Sequence, residues 1–279
     1  MTDTLNMGLI GCGNMGSALA ANLSKKNIFG KICVFDKDKK RQDGLARGLG
    51  VVSAKSLEDL KLCSNVILIA VKPQDCEDVL TPLKDVSGSL IISIAAGVSL
   101  AYLEARLAGP KTRVLRAMPN LNALIAQSVT ALAPGRNISP EDLGLAVEMF
   151  DAIGESVIVP EGLIDAVTAI SGSGPAFVAY LMDEVKEDAL EKTFLQEALS
   201  FGLERKAAAI LARGTVLGTR KSLSLNFDRE TLIKRVASKG GTTEAGLKVL
   251  ESQPKTPMAL SAAIRAAFQR ARELGEDKG

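Results

Sequence analysis

The sequence predicts two domains of different class, an N-terminal α/β domain built on a parallel sheet and a C-terminal all-α domain. Three observations carry this expectation. Short strand-like runs at 7–10, 31–35, 65–71, 90–94 and 112–116 alternate with helix-prone stretches, and those at 65–71 and 90–94 are near-continuously apolar, the pattern of parallel strands buried on both faces. The first run passes through Gly11, Gly13 and Gly16 straight into an alanine-rich helical segment. After Pro160-Glu161-Gly162 no convincing strand follows, only long helical patterns with alanine, leucine and charged faces. The predicted domains are therefore 1–160 and 161–279.

The glycines sit on a strand-to-helix turn, the setting in which G-x-G-x-x-G signals dinucleotide binding. Gly11 permits the tight turn and Gly13 lets a pyrophosphate approach the backbone. Gly16 lets the helix pack close to the sheet while its N-terminal N–H groups face the phosphates. The first domain thus reads as a Rossmann domain. The second strand ends at Asp36, twenty residues beyond Gly16, where an acidic side chain would bond the adenosine ribose hydroxyls and favour NADH. Lys37, Lys39, Lys40 and Arg41 follow at once and can neutralise a 2′-phosphate, so NADPH stays open; the same cations also fit the solvated first turn of a helix.

The later strands end in small or polar residues. Lys72-Pro73 stops the run at 65–71, and Ala95-Ala96-Gly97 closes the one at 90–94, with helical periodicity at 99–107 behind it. The run at 112–116 leads into Ala117-Met118-Pro119-Asn120. Ligands of an open parallel sheet lie outside the carboxyl ends of its strands, which makes Lys72 and Asn120 the polar candidates there, although a strand-ending Lys-Pro also reads as a plain turn. Strand-like 128–133, a helix capped by Ser139 with Pro140 at its first position, and strand-like 156–159 complete the domain.

In the second domain Pro175, after Ser171-Gly172-Ser173-Gly174, marks the expected start of a long helix reaching about residue 200. Ser238-Lys239-Gly240-Gly241-Thr242-Thr243 lies between helical patterns at 228–237 and from 243. Two glycines and two threonines at a helix start make a cradle of N–H and hydroxyl donors suited to a carboxylate; an ordinary helix–helix turn with a threonine cap has the same residues.

Composition removes several classes. With 279 residues, 47 % of them hydrophobic, the chain can fill sizeable cores, and a net charge of +2 with interspersed signs gives no nucleic-acid surface. No stretch reaches 18 uninterrupted apolar residues and no N-terminal h-region stands out, so the expectation is a cytoplasmic protein without a membrane span. Cys12, Cys33, Cys63 and Cys76 match neither a metal site nor a disulfide framework and read as small buried residues, so no metal is expected. There is no histidine, which excludes mechanisms that need an imidazole base.

Taken together, the turn at 11–16, Ala70-Val71-Lys72-Pro73, Ser93-Ile94-Ala95-Ala96-Gly97-Val98, Arg116-Ala117-Met118-Pro119-Asn120, the stretch at 171–175 and Gly240-Gly241-Thr242-Thr243 resemble pyrroline-5-carboxylate reductases, in order and over nearly the whole chain. The resemblance implies reduction of the cyclic imine 1-pyrroline-5-carboxylate to L-proline, the last step of proline synthesis, with NADPH or NADH. It implies a homodimer through the helical domain and, beyond it, a higher assembly of dimers. Ile10, Gly11, Cys12, Gly13, Asn14 and Met15 would carry the cofactor together with Gly16. Ala70, Val71, Lys72 and Pro73, and Ala95, Ala96 and Gly97, would complete its site. Ser238, Gly240, Gly241, Thr242 and Thr243 would hold the substrate carboxylate, with the Thr243 hydroxyl also reaching the ring nitrogen as the catalytic contact.

The chain also departs from the family pattern. Lys239 stands where the family has proline, Leu121-Asn122 follow Met-Pro-Asn in place of Thr-Pro, and Asn226 takes the place of a glutamate. Residues 190–194 read as two added turns in the long helix. These changes keep two alternatives in view, a non-catalytic NAD(P)-binding sensor on the same scaffold and a reductase of a related cyclic imine. A β-hydroxyacid dehydrogenase is disfavoured because Phe177 to Met182 hold neither the lysine nor the asparagine that family needs.

Overall fold

Strands with no polar alternation have no face to offer to water, and helices must cover both sides of the sheet they form. In the computed structural model, which describes residues 5–86, 88–107, 111–225 and 227–276, each predicted run becomes a strand. The order is β1 (Asn6–Ile10), α1 (Asn14–Leu23), β2 (Lys31–Phe35), α2 (Lys39–Leu49), β3 (Val52–Ser53), α3 (Leu57–Leu62) and β4 (Val66–Ile69). A 3₁₀ turn at Pro73–Asp75 leads to α4 (Cys76–Leu83), β5 (Leu90–Ser93), α5 (Leu100–Arg106) and β6 (Arg113–Met118). A second 3₁₀ turn, Leu121–Ile125, precedes β7 (Ser128–Pro134), α6 (Pro140–Asp151) and β8 (Gly154–Ile158). The two-residue β3 escaped the sequence reading because so short a strand leaves no periodicity. Asn226 lies outside the described residues.

The strand order is β3-β2-β1-β4-β5-β6-β7-β8, and β1 through β6 pair in parallel, Leu9 lying between Val34 and Leu68. The order reverses between β1 and β4, and this places the switch point beside the glycine turn. Ile67, Ile69, Ile91 and Val114 bury one sheet face against Leu60, Leu80, Leu83 and Leu103. Side-chain caps set the helix starts. Asp38 accepts from the Arg41 N–H, Ser56 from Asp59 and Ser99 from Tyr102, while Ser139 and Asp142 form a reciprocal capping box. One contact was invisible to spacing: Cys33 and Cys63, thirty residues apart, meet with their sulfurs at 3.2 Å as free thiols.

Among the described residues after 158 every element is helical. Pro175 lies in the first turn of the helix Gly174–Leu181, as expected, and the structure corrects only that helix's isolation, since helical winding already precedes it. Helical winding begins at Glu161, continues through α7 (Ile164–Val167) and a π-turn at Thr168–Gly172, and passes Pro175 within α8 (Gly174–Leu181). Proline is tolerated there because the hydrogen-bond register changes at that point. Ser173 N–H donates five residues back to Thr168 at 2.8 Å and Ala176 N–H three back to Ser173 at 3.0 Å. The run at 161–181 is apolar enough to span a bilayer by length and composition, and 78 % of its most apolar window is buried within the fold.

The expected continuation to residue 200 is also corrected. The helix stops at Leu181 and α9 (Glu187–Ser200) starts afresh, so 190–194 are part of a separate helix rather than added turns. Asp183 and Glu184 place negative charge at a helix C-terminus, where the dipole disfavours it, and are drawn to Arg229 and Lys255 at 2.6 Å each. Glu187 and Asp188 sit in the favourable first turn of α9. Then come α10 (Arg205–Ser224), α11 (Arg229–Val236), α12 (Thr242–Glu251) and α13 (Pro257–Glu276). Buried Glu197 of α9 is satisfied by Ser261 at 2.7 Å and Arg265 at 2.9 Å, both from α13.

The chain divides into two compact units, Met1–Ala117 with Leu132–Ile153, and Met118–Ala131 with Gly154–Gly279. Neither is contiguous in sequence. The segment after β6 joins the helical unit because Asn122 donates to Thr219 at 3.3 Å and accepts from Ser222 at 3.1 Å, both on α10. Gly218 leaves room there for the Gln127 carbonyl. A Cβ at Gly154, whose φ is 153°, would lie 1.9 Å from the Ser128 carbonyl oxygen. Gly154→Ala should therefore lower stability by about 3 kcal/mol or more in denaturant unfolding. Gly144→Ala, on the exposed face of α6 with nothing within 4 Å, should raise it by about 0.5–1 kcal/mol in the same assay.

Candidate functional site

In the first unit the three glycines have three different jobs. Gly11 has φ 101°, and a Cβ there would lie 2.6 Å from the Ala70 carbonyl oxygen. A Cβ on Gly16 would come within 2.0 Å of the Gly11 oxygen, so this helix can pack on this turn only through a glycine. Gly13 has nothing within 4 Å and is the N-cap of α1, with no side chain capping the first turn. The result is an open backbone N–H cradle at a helix start, which fits a diphosphate. Ile10, Gly11, Gly13, Asp36, Ala70, Val71 and Lys72 line one cavity of about 530 Å³. Its remaining wall includes Phe35, Lys37, Arg41, Leu57, Gln74 and Asp75.

Asp36 is less free than its position suggests. One carboxylate oxygen accepts the Cys12 N–H at 2.7 Å and the other the Asp38 N–H at 2.8 Å, and the side chain is 8 % exposed. It ties the glycine turn to the end of β2. Arg41 lies 4.0 Å away with its side chain 55 % exposed. Burial first, and then the Asp36 carboxylate, push the Cys12 thiol up to about 12, so it remains protonated and unreactive at neutral pH.

The other expected cofactor residues occupy different places. Cys12 is buried behind the turn, and Asn14, Met15 and Gly16 begin α1. Pro73 starts the 3₁₀ turn whose Asp75 N–H donates to the Lys72 carbonyl at 2.9 Å. Ala95, Ala96 and Gly97 form the tip after β5, with Gly97 at φ 71° and the Val98 N–H closing on Ala95. This tip lies outside the cavity lining.

The second unit brings the carboxylate candidates together. Gly241 N–H donates to the Ser238 carbonyl at 3.0 Å, and a Cβ on Gly241 would meet Ser238 Oγ at 2.3 Å. Gly240 takes φ 71°. Gly241 is the N-cap of α12 and supplies no side-chain cap, which leaves the first-turn N–H groups to a ligand. Thr243 Oγ1 donates to Ser173 Oγ at 3.0 Å, and Ser173 lies 3.0 Å from Thr242 Oγ1. Ser173 was not among the expected site residues; its signal was the small polar stretch ahead of Pro175. Lys239, where the family has proline, is exposed, and the loop is held from outside. Glu244 accepts the Gly240 N–H at 2.5 Å, and Arg270 donates to the Gly240 carbonyl at 2.9 Å.

Asn120, also in this unit, is 2 % exposed. Its Oδ1 accepts from the Asn122 N–H at 3.2 Å, whereas its Nδ2 has no partner. An orphaned buried amide donor is costly, and the usual reasons for keeping one are a ligand or an ordered water. Asn122 pins the turn that carries it to α10.

The family description "Pyrroline-5-carboxylate reductase dimerisation" matches residues 161–274, and "NADP oxidoreductase coenzyme F420-dependent" matches 6–97. A pyrroline-5-carboxylate reductase of Methanosarcina acetivorans is 39 % identical over 98 % of this chain and 99 % of its own. Among solved structures, a pyrroline-5-carboxylate reductase from Coxiella burnetii is 31 % identical with a TM-score of 0.68, covering 98 % of this chain and 99 % of that one. The Plasmodium falciparum pyrroline carboxylate reductase, solved with NADP bound, is 27 % identical with a TM-score of 0.65, covering 97 % and 98 %. With the dimerisation model matched over 161–274 and a relative 39 % identical across nearly the whole chain, this protein belongs to the pyrroline-5-carboxylate reductase family.

Proposed function

We propose that this chain reduces the C=N bond of 1-pyrroline-5-carboxylate to L-proline with NAD(P)H, the final step of proline biosynthesis. The observation that carries the reading is the hydroxyl chain Thr243–Ser173–Thr242 beside an uncapped, glycine-led helix start. The first-turn N–H groups of α12, with Ser238, Gly240, Gly241 and Thr242, bind the substrate carboxylate. Because Thr243 gives its proton to Ser173, its oxygen keeps lone pairs for the N–H of a protonated imine. Solvent can protonate that nitrogen, which is why a chain without histidine suffices. Bound dihydronicotinamide supplies the hydride. The glycine turn, with Ala70 to Pro73 and Ala95 to Gly97, holds the dinucleotide, and catalysis consists mainly of positioning.

In this reading residues 1–160 carry the cofactor and 161–279 carry the substrate and the dimer contacts. The protein is a homodimer, assembles further into a multimer of dimers and works in the cytoplasm. Light scattering should return a mass at an even multiple of the 29.3 kDa chain; a monomer would overturn the assembly.

Thr243→Ala should cut kcat/KM for pyrroline-5-carboxylate by about tenfold or more, and Thr243→Ser should recover most of it, by following oxidation of the reduced cofactor. Asn120→Ala removes the unpartnered Nδ2 donor together with the Oδ1 that accepts the Asn122 N–H, so it should lower turnover and also lower stability by about 1–3 kcal/mol in denaturant unfolding. Full activity in Thr243→Ala would sink the assigned role.

A further inference from the structure

Resting on the reading of the α12 start as the seat of the substrate carboxylate, we propose that Arg270, on the last helix, is a positioning residue for substrate binding. Together with Glu244 it locks the turn that leads into the first-turn N–H groups, a turn whose backbone Lys239 does nothing to restrain.

Ser238 to Gly241 form a four-residue turn, closed by the Gly241 N–H on the Ser238 carbonyl at 3.0 Å. Its third residue, Gly240, has φ 71°, and its second, Lys239, is not among the described non-glycine residues of positive φ. These signs define a type II turn, whose second position suits a proline because the ring presets φ near the value required. The Lys239 N–H donates to no backbone carbonyl among the described residues, so a proline there would forfeit no such bond. Lysine sets no limit on φ, and a turn unrestrained in the free protein must be ordered when the substrate binds.

Glu244 occupies the third position of α12, from which a carboxylate ordinarily turns back to the N-cap N–H. The N-cap here is Gly241, whose N–H is already on Ser238, and Glu244 reaches one residue further to the Gly240 N–H at 2.5 Å. Lys248 at 2.9 Å, and then that N–H, hold the Glu244 carboxyl below the usual carboxylate range, so it is ionised at neutral pH. From the other side Arg270 Nε donates to the Gly240 carbonyl at 2.9 Å, while its Nη1 donates to Glu273 at 2.9 Å. The peptides on both sides of the Gly240 Cα are thus held by charged groups, each such bond about twice as strong as one between neutral partners. The anchor is firm, because α13 meets α12 at Gly246, where an added Cβ would lie 2.8 Å from the Ala263 carbonyl oxygen. Neither bond uses the N–H groups or hydroxyls of Thr242 and Thr243, so the clamp shapes the cradle without filling it.

The test is steady-state kinetics with pyrroline-5-carboxylate at saturating reduced cofactor, on the wild type, Arg270→Ala, Lys239→Pro and the double variant, each checked for folding by its denaturant unfolding curve. Arg270→Ala should raise KM about tenfold while kcat and the cofactor KM stay within about threefold; a merely structural loss would reduce the folded fraction, and with it kcat. Adding Lys239→Pro to Arg270→Ala should lower KM again by about threefold, because the ring restrains the turn that Arg270 no longer holds. In the wild-type background, where the clamp already acts, Lys239→Pro should move KM by less than about twofold. The double variant separates positioning from charge. It has lost two cations beside an anionic substrate, and simple electrostatic attraction would leave its KM higher still. A wild-type KM in Arg270→Ala, a further rise in the double variant, or a drop of about threefold on Lys239→Pro alone overturns the inference and leaves the substrate reading standing. The last of these decides even where Arg270→Ala fails to fold. No turnover of pyrroline-5-carboxylate by folded wild-type protein overturns the inference and the substrate reading together.

Discussion

The structure of the first unit depends on one close approach, helix α1 against the carbonyl of Gly11. A single added carbon at Gly16 would stand 2.0 Å from that oxygen, and one at Gly11 2.6 Å from the Ala70 carbonyl. These two absent side chains let β1, α1 and β4 meet at the point where the strand order reverses. They also aim the helix start, so Gly13 is left facing open space. Asp36 completes the arrangement by bonding the Cys12 N–H, which fixes the turn to β2. The open N–H cradle is thus a consequence of packing, with its shape set by which atoms are missing.

The second unit assembles its hydroxyl cluster by another route. Helices are brought close by Gly246, where a Cβ would lie 2.3 Å from the Phe177 ring, and by Gly174 beside Thr215. The Ser173 hydroxyl ends up between Thr242 and Thr243, and a hydrogen-bond chain, buried at Thr243 and half-buried at Thr242, runs from one helix start to another. Such a chain orders hydroxyl protons by its own connectivity and needs no ionisable group.

Much of this was legible in the amino-acid sequence, for identifiable reasons. The strands β4 and β5 stood out as apolar runs and β2 and β6 as short strand-like segments, the cap residue Ser139 stood at the helix start it now holds, and the glycine turn had both its strand and its helix beside it. What escaped the sequence is what depends on contacts between distant residues or on competition between local rules. Pro175 marks a helix start by local rules, and the π-turn at Thr168–Gly172 that joins it to the winding before it leaves no such mark. The break at Asp183 and Glu184 is settled by Arg229 and Lys255, from other elements. Asn122 departs from the family pattern in sequence, yet its partners Thr219 and Ser222 lie about a hundred residues on. In the site, Asp36 was readable by position, whereas the bonds its oxygens make to the Cys12 and Asp38 N–H groups depend on the fold.

The account comes down to one chemical claim, that a chain without histidine reduces a cyclic imine by holding its carboxylate and its nitrogen. The most direct measurement is product analysis after incubating the purified chain with pyrroline-5-carboxylate and NADPH carrying deuterium at the transferable position. The account predicts L-proline with one deuterium at the ring carbon that had been doubly bonded to nitrogen, formed in step with cofactor oxidation. Bound cofactor with no labelled proline would contradict it.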